Sequence, residues 1–104
     1  MSVRLNLEDD TLTARLSGDL DHHTVRGIRE EIDAAANRSR PAQMVLDFKG
    51  VTFMDSSGIG LVMGRWTLMR DLGGVLYVEN MPVHIQKVMR IAGLANIGIG
   101  GVRK

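Results

Sequence analysis

The stretch FMDSSGIG, residues 53–60, joins the end of an apolar run to the start of a helical pattern, with two serines at the joint. Upstream, MVLDF (44–48) is a short, almost unbroken apolar run, which is typical of a strand covered on both faces. We predict that it is the central strand of a sheet and that residues 49–55 form a loop. Downstream, one apolar stripe at helical spacing predicts a helix that ends at residues 72–74: Ile59, Val62, Met63, Trp66 and Met69.

The N-terminal part of the chain predicts a hairpin followed by a helix. Apolar and polar residues alternate over 3–7 and again over 12–17, on either side of the polar turn EDDT. A stripe at helical spacing then predicts an amphipathic helix that ends near Asn37: Val25, Ile28, Ile32 and Ala35. Either Thr24 or Asp21 can cap this helix, because both side chains can accept from the unpaired N–H groups of a first turn.

The C-terminal part predicts one more strand and one more helix. VLYVEN (75–80) has the composition of a strand, and Pro82 stands where a first-turn proline belongs. The helix that follows carries Ile85, Val88, Met89 and Ala92 at helical spacing, with Gly93 as its stop. The glycine-rich tail predicts a short additional strand at 96–99.

These elements predict an α/β fold in the order β-β-α-β-α-β-α, with helices packed against a mixed sheet of four to five strands. The 104 residues show no break in composition and fit one domain, 1–104. Crossover connections in such sheets are right-handed. Their strand-to-helix loops collect at one edge, so we expect function to reside there.

Composition narrows the function classes. The chain has no cysteine, which excludes disulfides, thiolate metal sites and thiol catalysis. Its net charge of +1 comes from acids and bases mixed along the chain, without the basic block that a nucleic-acid partner requires. The N-terminus lacks the apolar core of a signal peptide, and no apolar run approaches the roughly 20 residues of a membrane helix. We therefore expect a soluble cytoplasmic protein that binds neither nucleic acid nor membrane.

The serines at the joint have two interpretations. Asp55 or Ser56 can cap the helix, and in the simpler interpretation the serines do only that. In the other, a phosphoryl group on Ser56 or Ser57 is stabilised by the helix N-terminus, while its charge of about −1.5 to −2 opposes a closely packed partner. One hydroxyl is then a switch.

Glycines in the first two turns of the helix indicate that something approaches its backbone closely. Gly58, Gly60 and Gly64 each cost about 0.8–1.0 kcal/mol relative to alanine. The approaching group is either the protein's own strand or first helix, or a partner docked on a bare face.

Two catalytic alternatives are weak. A hydrolase nucleophile elbow has a glycine two residues before its serine, and this glycine is missing ahead of Ser56 and Ser57. His22 and His23 could supply a base, or with Asp19 and Asp21 a metal site, but adjacent histidines in one loop rarely converge on one ion. We expect no enzyme activity, no metal and no cofactor.

Three stretches resemble the STAS domains of bacterial anti-sigma factor antagonists, most closely those of the sporulation type: GDLDHHT (18–24), VLDFKGVTFMDSSGIG (45–60) and IAGL (91–94). The resemblance implies that the unphosphorylated chain binds an anti-sigma factor, a serine kinase, and frees a sigma factor. The kinase then phosphorylates one serine and ends the interaction, and a serine phosphatase resets the cycle. The regulated process is sporulation or stress response.

The resemblance also assigns residues. The second serine of the pair, Ser57, is the phosphate acceptor, and Ser56 is the neighbouring structural serine or cap. Asp55 and Gly58 flank the pair. The implied partner surface comprises Asp19, Asp21, His22, Thr24, Ile59, Gly60 and Gly64.

Two departures from the family pattern stand out. The third helix opens on Met81-Pro82 where relatives often have a serine before the proline, so that cap is lost or shifted to Asn80. The tail ends at Lys104 where relatives commonly carry a last strand and helix, so the C-terminus is either shortened or minimal. The alternative function is a STAS interaction or nucleotide-responsive module without a phosphorylation cycle, for which the second serine has no use.

Overall fold

The computed structural model describes residues 2–91 and 102–103. They fold into five strands and three helices in the chain order β1 (Ser2–Glu8), β2 (Thr11–Leu20), α1 (Val25–Ser39), β3 (Gln43–Met54), α2 (Ser56–Asp71), β4 (Val75–Glu79), α3 (Val83–Ile91) and β5 (Val102–Arg103). The predicted α/β class, the element order and the mixed sheet are confirmed. β5 pairs with β4. The predicted helix stop at Gly93 and the predicted strand at 96–99 lie outside the described residues.

The strands lie side by side in the order of the sequence, β1-β2-β3-β4-β5. β1 and β2 are antiparallel, and the three pairs that follow are parallel. The hairpin turns at Asp9 and Asp10, whose φ values of 51° and 64° are those of a two-residue turn matched to the strand twist. Short polar residues such as aspartate tolerate this left-handed backbone. The predicted turn is confirmed.

The core forms on one face of the sheet. Met44, Leu46 and Phe48 of β3 join the buried cluster that packs the helices against the sheet. Val45 and Asp47 lie on the opposite face, outside that cluster, yet they are only 1% and 8% exposed. The prediction that MVLDF is a strand covered on both faces is therefore confirmed. Within the sheet, Val45 and Asp47 lie between β2 and β4. The Asp47 carboxylate is paired with Arg15, with Oδ2 3.8 Å from Nε.

β2 and β3 are longer than the sequence predicted. Residues 49–54, predicted as loop, continue β3 and pair with β2 from Ser17↔Gly50 to Leu20↔Met54. The pairing shifts register twice on the way, and each shift breaks the alternation of apolar and polar residues that marks a strand. These extensions carry both strands to the edge where the loops toward α1 and α2 begin.

The helix α2 is rotated relative to its predicted stripe. Val62 and Met69 are buried as expected, but Leu61 and Arg65 share the buried face. Three stripe residues are only partly buried at its margin: Ile59, Met63 and Trp66. The pattern misled because Arg65 is 5% exposed and forms an ion pair with Asp33 of α1, with Nε 2.9 Å from Oδ1. Because Arg65 is charged, its position on the core side of α2 was not counted as apolar, and the predicted stripe was placed to one side of the buried face.

The helix ends match the sequence signals closely. α1 ends at Ser39, two residues beyond the predicted Asn37, where Arg40 takes a left-handed φ of 46°. α2 ends at Asp71, just before the predicted stop at 72–74, where Gly73 has a φ of 78°. Pro82 precedes α3, and its carbonyl accepts from the N–H groups of Ile85 and Gln86.

Asn80 does not cap α3, so that part of the prediction was wrong. Its side-chain Nδ2 instead donates to Asp47 Oδ1 at 3.1 Å, and its φ of 57° turns the chain after β4.

Candidate functional site

Two loops meet at the carboxyl ends of β2 and β3. The strands are parallel neighbours, so the segments that follow them, 21–24 and 55–57, leave the same edge of the sheet. The Asp55 N–H donates to the Leu20 carbonyl at 3.1 Å and ties the two exits together. The predicted phosphosite and the predicted partner loop therefore adjoin.

Asp55 alone caps α2. Its Oδ1 accepts from the Ser57 N–H at 2.8 Å, and its carbonyl accepts from the Gly58 N–H at 3.0 Å. Ser56 is exposed in the first turn and Ser57 is half-buried. Within the described residues neither serine hydroxyl makes a hydrogen bond. Of the two predicted caps, Asp55 is confirmed and Ser56 is not, because the Asp55 carboxylate already accepts from the Ser57 N–H.

The loop from β2 to α1 is held by Asp21 and Thr24 together. Asp21 Oδ1 accepts from the N–H groups of His23 at 2.9 Å and Thr24 at 3.1 Å. The Thr24 hydroxyl accepts from the Asp21 N–H at 3.1 Å and donates to the Asp19 carbonyl at 2.8 Å. Thr24 is the residue that precedes the helix, but its own side chain makes no capping bond, so Asp21 is the acceptor that closes the turn.

His22 and His23 stack against each other, with ring centroids 3.9 Å apart. Neither ring makes a hydrogen bond to Ser56 or Ser57 within the described residues, so neither is in place to act as a base for them. Over the same part of the chain no group of three or more His, Cys, Asp or Glu side chains is arranged to hold a metal ion.

Gly58 is required by the protein's own packing. A Cβ at this position would overlap Cγ of Met54 and would lie 2.6 Å from Met54 Sδ and 3.3 Å from Leu20 Cβ. Met54 and Leu20 are buried at the ends of β3 and β2. The close approach predicted from the glycines is therefore made here by the two strands.

Gly60 and Gly64 have a different setting. A Cβ at either position would meet no atom within 4 Å. With Ser57 they follow the spacing i, i+3, i+7, so the three residues line one side of α2 over about 10 Å. We call this side the bare face of α2: Ser57, Gly60 and Gly64. Internal packing accounts for neither Gly60 nor Gly64, and Ile59 lies at the margin of the core.

Acidic groups dominate the electrostatics of this edge. Asp19, Asp21 and Asp55 accept hydrogen bonds but take part in none of the ion pairs found between described residues. A dianion on Ser57 would add charge of the same sign beside Asp55.

Three residues near this edge were not predicted from the sequence. The Thr52 hydroxyl donates to Asp19 Oδ1 at 2.8 Å, and His84 Nε2 lies 3.1 Å from the Thr52 carbonyl. Phe53 is 50% exposed between the buried residues Val51 and Met54. The aromatic residue after GVT was the one sequence signal available for this group. It was not used, because residues 49–55 were predicted to form a loop.

Three comparisons bear on this chain. A family model described as the STAS domain matches residues 2–100. The anti-sigma F factor antagonist of Paenibacillus polymyxa is 39% identical over 101 residues, which cover 93% of this chain and 85% of the relative. The anti-sigma-B factor antagonist of Bacillus subtilis (strain 168) is 25% identical over 97 residues, which cover 93% and 87%.

Solved structures agree with the sequence relatives. The unphosphorylated form of the anti-sigma factor antagonist SpoIIAA has a TM-score of 0.80 and 34% identity, over 89% of this chain and 82% of that one. The phosphorylated form of the Bacillus cell fate determinant SpoIIAA has a TM-score of 0.73 and 34% identity, over 90% and 86%. In the described part of this chain, no helix is long and apolar enough to cross a bilayer.

Proposed function

This chain belongs to the STAS domain family, and from that premise we infer that it is an anti-sigma factor antagonist switched off by phosphorylation of Ser57. In the proposed cycle the unphosphorylated chain binds an anti-sigma factor that is also a serine kinase, and a sigma factor is released. The kinase transfers the γ-phosphoryl group of ATP to Ser57 Oγ, which loses its proton, and ADP leaves. A serine phosphatase hydrolyses the phosphoester and restores the binding form.

The capping geometry is the observation that carries this proposal. Asp55 satisfies the Ser57 N–H, so neither serine hydroxyl is needed to begin α2. A phosphoryl group on Ser57 would therefore leave the cap in place. It would put about two negative charges next to Asp55, at an edge where Asp19 and Asp21 are also acidic. Phosphorylation should therefore weaken the binding of a closely packed partner more than it lowers the stability of the fold.

The relatives support the inference that phosphorylation leaves the fold intact. The phosphorylated and unphosphorylated forms of SpoIIAA both superpose on this chain over most of its length. That protein keeps the STAS fold in both states, which is what a switch at an interface requires.

We assign the partner surface to the loop 19–24 together with the bare face of α2. The two adjoin through the Asp55–Leu20 hydrogen bond, and Gly60 and Gly64 leave room for a partner backbone. Under this proposal the chain is a ligand and a substrate of cytoplasmic proteins and catalyses no step itself.

The test is phosphorylation by an anti-sigma factor kinase of the anti-sigma-F type with Mg-ATP, followed by intact mass and site mapping. The wild type and Ser56→Ala are expected to gain one phosphate, and Ser57→Ala none. Phosphate on Ser57→Ala, or none on the wild type, would contradict the assignment.

A further inference from the structure

β1 is a regular strand at the edge of the sheet. It pairs with β2 on one side, residue for residue from Ser2↔Ser17 to Glu8↔Thr11, without a bulge. Among the described residues, 2–91 and 102–103, no strand pairs with the other side of β1. Edge strands are usually protected by a proline, a bulge or very short length, because their free N–H and C=O groups can pair with another chain. β1 has seven residues, contains no proline and pairs with β2 without a bulge.

The hairpin determines which backbone groups face outward. With a two-residue turn, Glu8 and Thr11 form a hydrogen-bonded pair, and such pairs recur at every second residue. The groups of Arg4, Asn6 and Glu8 therefore point toward β2. The N–H and C=O groups of Leu5 and Leu7 point outward, where they can form backbone hydrogen bonds with a further strand.

The side chains at this edge are incompletely covered. Leu5 and Leu7 lie opposite Ala14 and Leu12, on the face of the sheet that carries the core, yet they are 37% and 52% exposed. A strand added at this edge with apolar residues on the same face would extend the core sideways.

We propose that β1 pairs with β1 of a second copy of this chain, antiparallel about a two-fold axis through Asn6, to form a continuous sheet across a homodimer. This register sets Arg4 opposite Glu8 of the second copy, twice by symmetry. It also sets Leu5 opposite Leu7 of the second copy, so charges and apolar side chains both match. A register centred on Leu5 sets Arg4 opposite Asn6 and loses the charge match.

The dimer edge lies away from the candidate phosphosite. The central pair, Asn6, is nearer the hairpin turn, whose Asp10 carbonyl accepts from the Ala42 and Gln43 N–H groups at the start of β3. Ser57 lies at the other end of β3. Dimerisation and the proposed switch are therefore separate properties, and each can fail without the other.

Sedimentation velocity over a concentration series tests the pairing with a charge swap. The wild type is expected to rise from 11.4 kDa toward twice that mass. Glu8→Arg places like charges opposite each other and is expected to raise the dimer Kd at least about tenfold. Arg4→Glu combined with Glu8→Arg restores opposite charges and is expected to restore the dimer. Circular dichroism of each variant confirms the fold.

A disulfide test reports the register itself. The chain has no cysteine of its own, so Asn6→Cys introduces a single thiol. Non-hydrogen-bonded pairs place Cα atoms about 4.5 Å apart, within disulfide range, so mild oxidation is expected to link two copies. Leu5→Cys is the control for the shifted register and is expected to link far less. A wild type that stays monomeric at about 1 mM, or a Leu5→Cys chain that links as well as Asn6→Cys, would overturn the proposal.

Discussion

Asp55 Oδ1 lies 2.8 Å from the backbone nitrogen of Ser57 and accepts its hydrogen bond. The residue that begins the helix is thus distinct from the residue proposed to carry the phosphate. This separation allows the charge on Ser57 to change while the helix N-terminus stays capped. It also makes the contributions of the two residues separable by substitution.

Replacing the cap should lower stability. Asp55→Ala leaves the Ser57 N–H without its acceptor and is expected to reduce the free energy of unfolding by about 1 kcal/mol. Asp55→Asn keeps an acceptor oxygen and should lose only part of this. Urea unfolding of the three proteins gives the comparison, and an Asp55→Ala protein as stable as wild type would show that the cap contributes nothing.

The glycines of α2 should separate into two kinds. Gly58→Ala forces a methyl group into Met54 and is expected to destabilise the protein by about 1–3 kcal/mol. Gly60→Ala and Gly64→Ala meet no neighbour and should stabilise it by about 0.5–1 kcal/mol through helix propensity.

The bare face adds a binding prediction with a matched control. Gly27 of α1 is also exposed and free of neighbours, so Gly27→Ala should give a similar gain in stability. Only Gly60→Ala and Gly64→Ala should weaken binding to the anti-sigma factor in calorimetric titration. If all three bind as wild type does, the bare face of α2 is not part of the interface.

Asp21 should have separable structural and binding roles. Asp21→Ala removes the acceptor for the His23 and Thr24 N–H groups and is expected to cost about 1 kcal/mol in unfolding free energy. Asp21→Asn retains the acceptor and should be nearly as stable. If the carboxylate charge contacts the partner, Asp21→Asn weakens binding nonetheless, and unchanged affinity would confine Asp21 to loop structure.

The sequence determined more of the site than of the core. Local signals predicted a cap at Asp55 or Ser56 and a turn after β2, because caps and strand-to-helix turns depend on residues close in the chain. The choice of Ser57 over Ser56 as phosphate acceptor came from the family resemblance and stays a prediction. The burial of Arg65 could not be predicted, since it depends on Asp33, 32 residues away, on another helix. The extension of β3 to Met54 depends in the same way on a shifted pairing with β2 that no local pattern shows.

Removing one partner of the Asp33–Arg65 pair should lower the free energy of unfolding much more than replacing both partners with apolar residues. Arg65 also donates through Nη1 to the Leu61 carbonyl at 3.3 Å. Arg65→Ala leaves Asp33 without its partner and is expected to cost about 2 kcal/mol. Asp33→Leu combined with Arg65→Met should lie within about 1 kcal/mol of wild type. Thermal and urea unfolding measure both, and additive losses in the double variant would contradict this.

The same pair predicts a pH dependence. Burial raises the pKa of Asp33 above 3.8, outweighing the attraction of Arg65, so the native protein takes up this proton more readily than the unfolded chain. The stability from this group is present at low pH and is lost as pH rises from about 3.8 through the native pKa. Relative to Asp33→Asn, the wild type should therefore lose stability over that window, and a relative gain would reverse the sign we assign.

The most direct test of the switch is the affinity of the anti-sigma factor for this chain with and without phosphate on Ser57, by isothermal titration calorimetry. We predict that the phosphorylated chain binds at least about 100-fold more weakly, while Ser56→Ala binds as the wild type does. Affinities of the two forms that agree within about threefold would contradict the account.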